Sequence, residues 1–310
     1  EKFAVGLEYP TTMYFVGDDI LVLEKNTGKV MRIQDNGVVK SEPVLDVPVT
    51  TQIESGLLGI VSASNHIYLY FTESLSGIDQ SAIKPSGERL HGNAMNSRNV
   101  VYQYDWDGEK LTNPILIKEL LSHTGKHAGG VITKGLNNEI YFVIGDQSKR
   151  GIYQNYIFEE SRGADNLETG SIFKIDTKEN NSVELFAMGI RNGFGLAVDP
   201  RTGYLWDTEN GPDHFDEINL VKPRFNSGWK ILAGPTDRGN FHKGCSNPED
   251  PAICNSQLIS QSFKNFEYSE PEFSWFTAVG PTAIAFPDKN FLKYSDSLFV
   301  GDFNNGRIYN

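Results

Sequence analysis

The chain has 310 residues, a formal net charge of −12, and 39% hydrophobic and 12% aromatic residues. That length supports one large all-β domain or two smaller ones, and the acidic balance excludes nucleic acid and anionic membrane surfaces as expected partners. No apolar run approaches the ~20 residues that a membrane-spanning helix needs.

Thirty glycines, with frequent Asn-Gly, Asp-Gly and Pro turns, favour short strands over helices. Residues 2–10, KFAVGLEYP, read as a lone opening strand. One phrase then recurs: an apolar strand, a turn, a second strand ending in a polar residue, and a Gly-containing connection into a third strand. Its copies are TTMYFVGDDILVLE with GKVMRI, GLLGIVSASNHIYLYFTE with VVYQYD, and GGVITKGLNNEIYFVIGDQ with SIFKID. FGLAVDPRTGYLWDTEN with DEINLV and TAIAFPDKNFLKYSDSLFVGD with GRIYN complete the series. Each alternates apolar and polar residues with period two, as an antiparallel meander does. Radial repetition of such meanders builds a β-propeller around a central channel. Five phrases, a spare opening strand and an end after the last third strand predict an all-β, six-bladed propeller whose last blade is largely missing. A five-bladed ring is the competing reading. No linker or low-complexity tract interrupts the pattern, so residues 1–310 are read as a single domain with a loop insertion at about 232–269.

The stretch from Gly189 to Leu220, GIRNGFGLAVDPRTGYLWDTENGPDHFDEINL, is the densest in polar chemistry. It places an Arg-Asn pair, a strand ending in Thr-Glu, an Asn-Gly-Pro turn and an acidic cluster within one strand-turn-strand unit. A cation, amides, backbone carbonyls and carboxylates near one strand end are the material of a polar ligand or metal pocket.

Cys245 and Cys254 lie in a loop rich in Asn, Pro and Asp. A disulfide between them would close a short loop and point to an oxidising compartment; two free thiols in a surface loop are the alternative. The disulfide is preferred because exposed thiols are reactive, and no further Cys completes a zinc site there. Asn180-Asn181-Ser182 matches a glycosylation sequon, too short a motif to decide anything. The first residues lack a signal-peptide profile and the chain opens on Glu1, so a processed form is expected.

HAGG, IYFVIGDQ, GSIFKID, GIRNGFGLAVDP and ENGPDHFDEINL, in this order and with ESGLLG and PEFSWFTAVGPTAIAF, resemble the soluble pyrroloquinoline-quinone sugar dehydrogenases. The resemblance runs from about Phe3 to Tyr309. It implies a quinone cofactor on the propeller axis, calcium, an aldose substrate, an external electron acceptor and a periplasmic or extracellular location; a homodimer is left open. By resemblance, His127 is the general base that takes the sugar hydroxyl proton, and Asp146 the carboxylate that orients it. An imidazole suits the role because it titrates near neutral pH. Otherwise His127 is a satisfied surface histidine at a strand start and Asp146 a turn cap; His123 and His214 are read as such bystanders. Arg191 corresponds to the residue that stabilises negative charge on the reduced quinone. Asn192, Asn210, Trp275 and Thr277 fall at cofactor-contacting positions, with core packing the alternative for Trp275.

Gly211 and Pro212 match positions whose backbone carbonyls bind calcium beside the cofactor. A second calcium site transfers to Glu217, the backbone oxygens of Ser227 and Ala233, and Asp237; a solvated face is the alternative for the Asp216–Glu217 pair. Two positions depart from the pattern. Glu54 replaces a cofactor- or substrate-contacting glutamine, and Asn304 replaces a cofactor-binding lysine. The closing-blade arginines of the family fall after Asn310. The expected activity is oxidation of the anomeric hydroxyl to a lactone. The rivals are a binding propeller without cofactor and a calcium-dependent lactonase.

Overall fold

A computed structural model describes residues 2–81, 96–123, 125–148, 168–237, 265–287 and 290–310. The expected Cys245–Cys254 pairing and most of the 232–269 insertion lie outside these residues. The chain forms two compact units, Glu1–Ile132 with Thr177–Asn181, and Thr133–Asp176 with Ser182–Asn310. Among the described residues the only helical element is a 3₁₀ turn at Leu292–Tyr294, and no helix is long and apolar enough to cross a membrane.

The first unit holds β1 (Pro10–Val16), β2 (Asp19–Glu24), β3 (Lys29–Ile33) and β4 (Leu45–Asp46) in one sheet of that order. A minimal parallel pair, β5 (Thr50–Thr51) with β8 (Gln80–Ser81), stands apart. The second full sheet contains β6 (Leu57–Ala63), β7 (His66–Ser74), β9 (Ser97–Trp106) and β10 (Leu111–Leu121), ordered β10-β9-β7-β6. Pro114 is tolerated in β10 because the register against β9 shifts between Thr112 and Ile115, a bulge where no ladder N–H is required. Leu21, Leu23, Leu57, Leu69 and Phe71 are essentially inaccessible and form the core of this unit.

Residues 2–9 contain no strand, in contrast to the expected opening strand; only Pro10 of that segment belongs to β1. The backbone explains the difference. Gly6 and Tyr9 sit at φ 90° and 48°, and left-handed residues interrupt an extended run.

The second unit begins with β11 (Ile132–Lys134), β12 (Ile140–Ile144), β13 (Ser171–Asp176) and β14 (Ser182–Met188). It continues with β15 (Gly193–Val198), β16 (Leu205–Glu209), β17 (His214–Val221), β18 (Phe225–Asn226), β19 (Glu267–Tyr268) and β20 (Phe273–Thr277). The last strands are β21 (Pro281–Ala285), β22 (Phe299–Asp302) and β23 (Ile308–Tyr309). They form the sheets β11-β12-β13-β14-β18-β19, β15-β16-β17-β20 and β21-β22-β23. All five sequence phrases therefore become the first three strands of a sheet. The outer strands β4, β10, β14 and β20 add a fourth to four of them. Successive sheets meet through early strands: β1 with β6 in the first unit, and β12 with β15 and β15 with β21 in the second. Within each unit, neighbouring meanders therefore meet along their early strands.

Strand β12 is buried at every position, so its sheet is covered on both faces and strict alternation is replaced by a continuous apolar run. Phe142 of β12 stacks on Phe173 of β13 with ring centroids 5.2 Å apart. Removing that ring leaves a cavity in a covered sheet, at a cost of about 3–5 kcal/mol. Phe142→Ala is expected to lower the urea-unfolding free energy by that amount. Phe303→Ala, at a position 82% exposed, is expected to change it by less than about 0.5 kcal/mol.

Candidate active site

Hairpin β15–β16 sets the centre of the second unit's polar cluster. Its register pairs Gly193 with Glu209, which lays the Arg191-Asn192 segment beside Asn210. The Asn210 N–H donates to Asn192 O at 2.9 Å, and Asn210 Nδ2 to Pro281 O at 3.0 Å. Arg191 Nη1 donates to Asn210 O at 2.6 Å, and its guanidinium carbon lies 5.5 Å from the centre of the Trp229 ring. The expected cofactor-contacting trio Arg191, Asn192 and Asn210 is thus contiguous. Asn192 is buried, and its Oδ1 has no hydrogen-bond partner among the described residues.

Asp146, two residues after the end of β12, is 1% exposed. Its N–H donates to Arg191 O at 2.8 Å, its Oδ1 accepts from Ser148 N at 2.9 Å, and its Oδ2 accepts from Trp229 Nε1 at 2.7 Å. Trp229 therefore touches both Asp146 and Arg191. Sequence reading missed it, and only the Gly-Trp pair after Asn226-Ser227 marks its place.

Beneath the hairpin lies a carboxylate cluster. Strand register sets Asp207 opposite Asn219 and Glu209 opposite Glu217, so all four side chains share one face. Glu209 Oε1 accepts from Arg191 N and its Oε2 from Ser227 Oγ, at 2.6 and 2.7 Å. Glu217 accepts from Gly234 N, from Ser227 Oγ at 3.1 Å and from Asn219 Nδ2 at 3.2 Å. Burial holds the Glu209 carboxyl well above the usual carboxylate range, helped by the charges of Glu217 and Asp207. Asp207 is pushed up to about 8 by burial and by Glu217. Among the described residues neither Asp207 oxygen makes a hydrogen bond of good geometry, and the Asn219 amide offsets only part of the shift.

The Asp216–Glu217 pair is not a solvated face: the two residues are 1% and 3% exposed. Buried carboxylates persist only when donors or cations satisfy them, and here backbone and side-chain donors do so. Ser227 Oγ and the N–H of Gly234, the residue after Ala233, both bond to Glu217, so the segments that carry three of the four expected second-calcium positions meet, while the Ala233 carbonyl of that trans peptide faces away from the carboxylate. Asp237 is exposed. Among the described residues, no three His, Cys, Asp or Glu side chains are grouped so as to hold a metal ion.

The Gly211-Pro212 turn is open. Its two carbonyl oxygens accept no hydrogen bond among the described residues. Trp275 packs edge-on against Phe273 and lies 5.3 Å from Tyr309, partly buried against Ile218, Ile284 and Val300. Thr277 is exposed on β20 opposite His214. Asn304 is exposed and donates from its backbone to Val279 O and from Nδ2 to Ala278 O, at 3.1 and 3.2 Å.

In the first unit, Glu54 and His127 are joined directly: the His127 N–H donates to Glu54 Oε2 at 2.5 Å. His127 is 8% exposed and holds φ at 52°, a conformation that surroundings must enforce for a residue with a side chain. Lys25, which sequence reading also missed, donates from Nζ to Ile53 O at 3.0 Å. Burial lowers its pKa, and the charge of neighbouring Glu54 opposes that shift. A cation and a backbone donor thus attend the carboxylate that departs from the family pattern.

The raised pKa of Asp207 has a sign that can be tested. The folded state keeps the proton that the unfolded chain releases near pH 4, so this contribution is complete below pH 4 and is lost as pH rises through about 8. Asp207→Asn is expected to gain stability over the parent by up to about 1.4 kcal/mol per pH unit between pH 5 and 8. Urea unfolding in chelator at pH 5, 6.5 and 8 measures it; a difference that does not grow with pH would contradict the assignment.

Comparison with known proteins gives the family and the fold. Quinoprotein glucose dehydrogenase B of Acinetobacter calcoaceticus is 29% identical over 254 residues, covering 72% of this chain and 50% of that protein. The chain thus spans about half the length of that relative. Aldose sugar dehydrogenase YliI of Escherichia coli is 25% identical over 305 residues, 95% of this chain and 75% of that protein. The solved PQQ-bound form of aldose sugar dehydrogenase from Streptomyces coelicolor superposes with a TM-score of 0.66 at 22% identity, covering 99% of this chain and 78% of that one. That likeness is one of fold, and with the repeated meanders it assigns the chain to the all-β propeller class. A family model for glucose / sorbosone dehydrogenases matches residues 7–310, and the chain belongs to that family.

Proposed function

We propose that this chain is a quinoprotein aldose sugar dehydrogenase that uses pyrroloquinoline quinone and calcium, forms lactones, and passes electrons to an external acceptor outside the cytoplasm. A single six-bladed domain is part of the proposal. One observation carries it: the buried amide oxygen of Asn192 has no hydrogen-bond partner among the described residues, and the preceding residue, Arg191, has its guanidinium held by Asn210 and Trp229. A buried acceptor left without a donor costs about 1–3 kcal/mol, which a ligand N–H or O–H there would offset.

The residues fit most of the expected groups. Arg191 suits an anionic quinone or carboxylate oxygen, and Asn192 supplies an unused acceptor. The Gly211 and Pro212 carbonyls, unbonded among the described residues, are hard oxygen donors of the kind that calcium prefers; the second expected set, Glu217 with Ser227, Ala233 and Asp237, fits an ion less well, because Glu217 already accepts the Gly234 N–H, Ser227 Oγ and Asn219 Nδ2. Trp275, Thr277 and Asn304 would border the cofactor. When bound, the quinone would take up the hydrogen and two electrons removed from the anomeric carbon. The imidazole of His127 takes the proton from the anomeric hydroxyl oxygen. The Trp229 indole N–H and the Ser148 N–H keep the Asp146 carboxylate fixed. Arg191 holds the negative charge that develops opposite the sugar. The His127 N–H and nearby Lys25 temper the charge of Glu54, which reduces its repulsion of an anionic cofactor.

Sugar-dependent dye reduction by the purified chain, with pyrroloquinoline quinone and calcium added, tests this reading. Reduction with at least one aldose is expected. No reduction with any aldose, together with no cofactor absorbance change, would overturn it. His127→Ala is expected to lower kcat about 10²–10⁴-fold and to leave the cofactor absorbance titration within about threefold of the parent; near-normal turnover would remove His127 from the mechanism.

A further inference from the structure

Asp216 accepts three backbone N–H bonds from two separate loops. Its Oδ1 takes the Gly211 N–H at 2.8 Å, and its Oδ2 takes those of Val279 and Gly280 at 2.7 and 2.8 Å. The first loop carries the open carbonyls of Gly211 and Pro212. The second receives Asn304 through Val279 O and Ala278 O. One buried carboxylate therefore ties three of the expected cofactor and calcium positions to a single point on β17.

The surrounding backbone is shaped to present that carboxylate. Phe215, immediately before it, adopts φ 62°, a left-handed conformation that a bulky residue holds only when its neighbours over-determine it. Gly234 leaves room for the Phe215 ring, since a side-chain carbon at 234 would overlap it. Gly211 is closed from the other side, where a side-chain carbon would overlap His214 O. Ser274 Oγ donates to the Asp216 carbonyl at 3.0 Å and fixes the same residue from β20.

We propose that Asp216 is a positioning residue for calcium: by fixing the Gly211 N–H and the 279–280 loop together, it aims the Gly211 and Pro212 carbonyls at one ion. This rests on the calcium- and quinone-dependent reading above. A carboxylate offers lone pairs to three donors, whereas an amide presents one oxygen and confronts at least one N–H with another N–H. Groups that orient metal-binding donors typically contribute 10–100-fold in metal affinity.

The test is the calcium concentration at half-maximal pyrroloquinoline-quinone absorbance change, measured without sugar. Asp216→Asn is expected to raise that midpoint at least tenfold, and excess calcium is expected to restore the absorbance change. Asp199→Asn serves as the structural control. Asp199 is also buried and accepts the Arg201 N–H and Nε, both at 2.9 Å, at the opposite end of the β15–β16 hairpin. That variant is expected to unfold at lower urea with its calcium midpoint unchanged. A midpoint within twofold of the parent in Asp216→Asn, or an equal rise in Asp199→Asn, would overturn the proposal. Should Asp216→Asn not fold, Gly280→Ala strains the 279–280 loop at φ 67° and leaves the carboxylate in place. A midpoint rise of about threefold is expected there, and no rise would count against the proposal. A parent chain that shows no absorbance change at any calcium level would instead overturn the underlying functional reading.

Discussion

A carboxylate taken out of water must be met by donors, and this protein meets most of its buried carboxylates with backbone N–H groups rather than with lysine or arginine. Asp146, Glu209, Asp216 and Glu217 each accept at least one main-chain N–H, as does Glu54 in the first unit. The bonds are directional and tie a side chain on one strand to a loop elsewhere. Loops that would otherwise wander at strand ends are thereby held at fixed heights. Asp207 is the exception: among the described residues it accepts no main-chain N–H, and burial with the charge of Glu217 pushes its carboxyl up to about 8.

Meander sheets provide the frame for this arrangement. A hairpin register that pairs Gly193 with Glu209 carries Arg191 to Asn210, and the next register, Glu209 with Glu217, stacks the carboxylates beneath them. The glutamates and the guanidinium are therefore products of one antiparallel ladder. Shifting it by a single residue would turn Asp207, Glu209, Glu217 and Asn219 to the opposite face. The polar cluster and the apolar packing on the other face of the same strands are specified together.

The five-fold phrase was readable because three consecutive strands in each copy keep an apolar period of two and end on Gly- or Asn-containing turns. The fourth strands were not readable. Leu45–Asp46 is too short to show a period, and Pro114 disguises Leu111–Leu121 as a loop. The opening segment had the right composition for a strand, but left-handed Gly6 and Tyr9 break it. In the site, Arg191, Asn192 and Asn210 were legible because they sit within one local motif. Trp229, Lys25 and Asp216 take their meaning from partners 83, 28 and 63–64 positions away, and no local pattern announces such pairings. The Asp216–Glu217 pair illustrates the ambiguity: two adjacent acids on a strand look alike whether they face water or a lattice of amides.

The Trp229 indole is 8% exposed, with its N–H on the Asp146 carboxylate and the Arg191 guanidinium over its face. Negative charge at the pyrrole edge and positive charge above the ring bias the excited-state dipole of the chromophore. Replacing either charged group by an uncharged one is expected to shift that bias and with it the emission wavelength. Of four tryptophans in the chain, this one serves as an embedded optical voltmeter for the guanidinium–carboxylate pair.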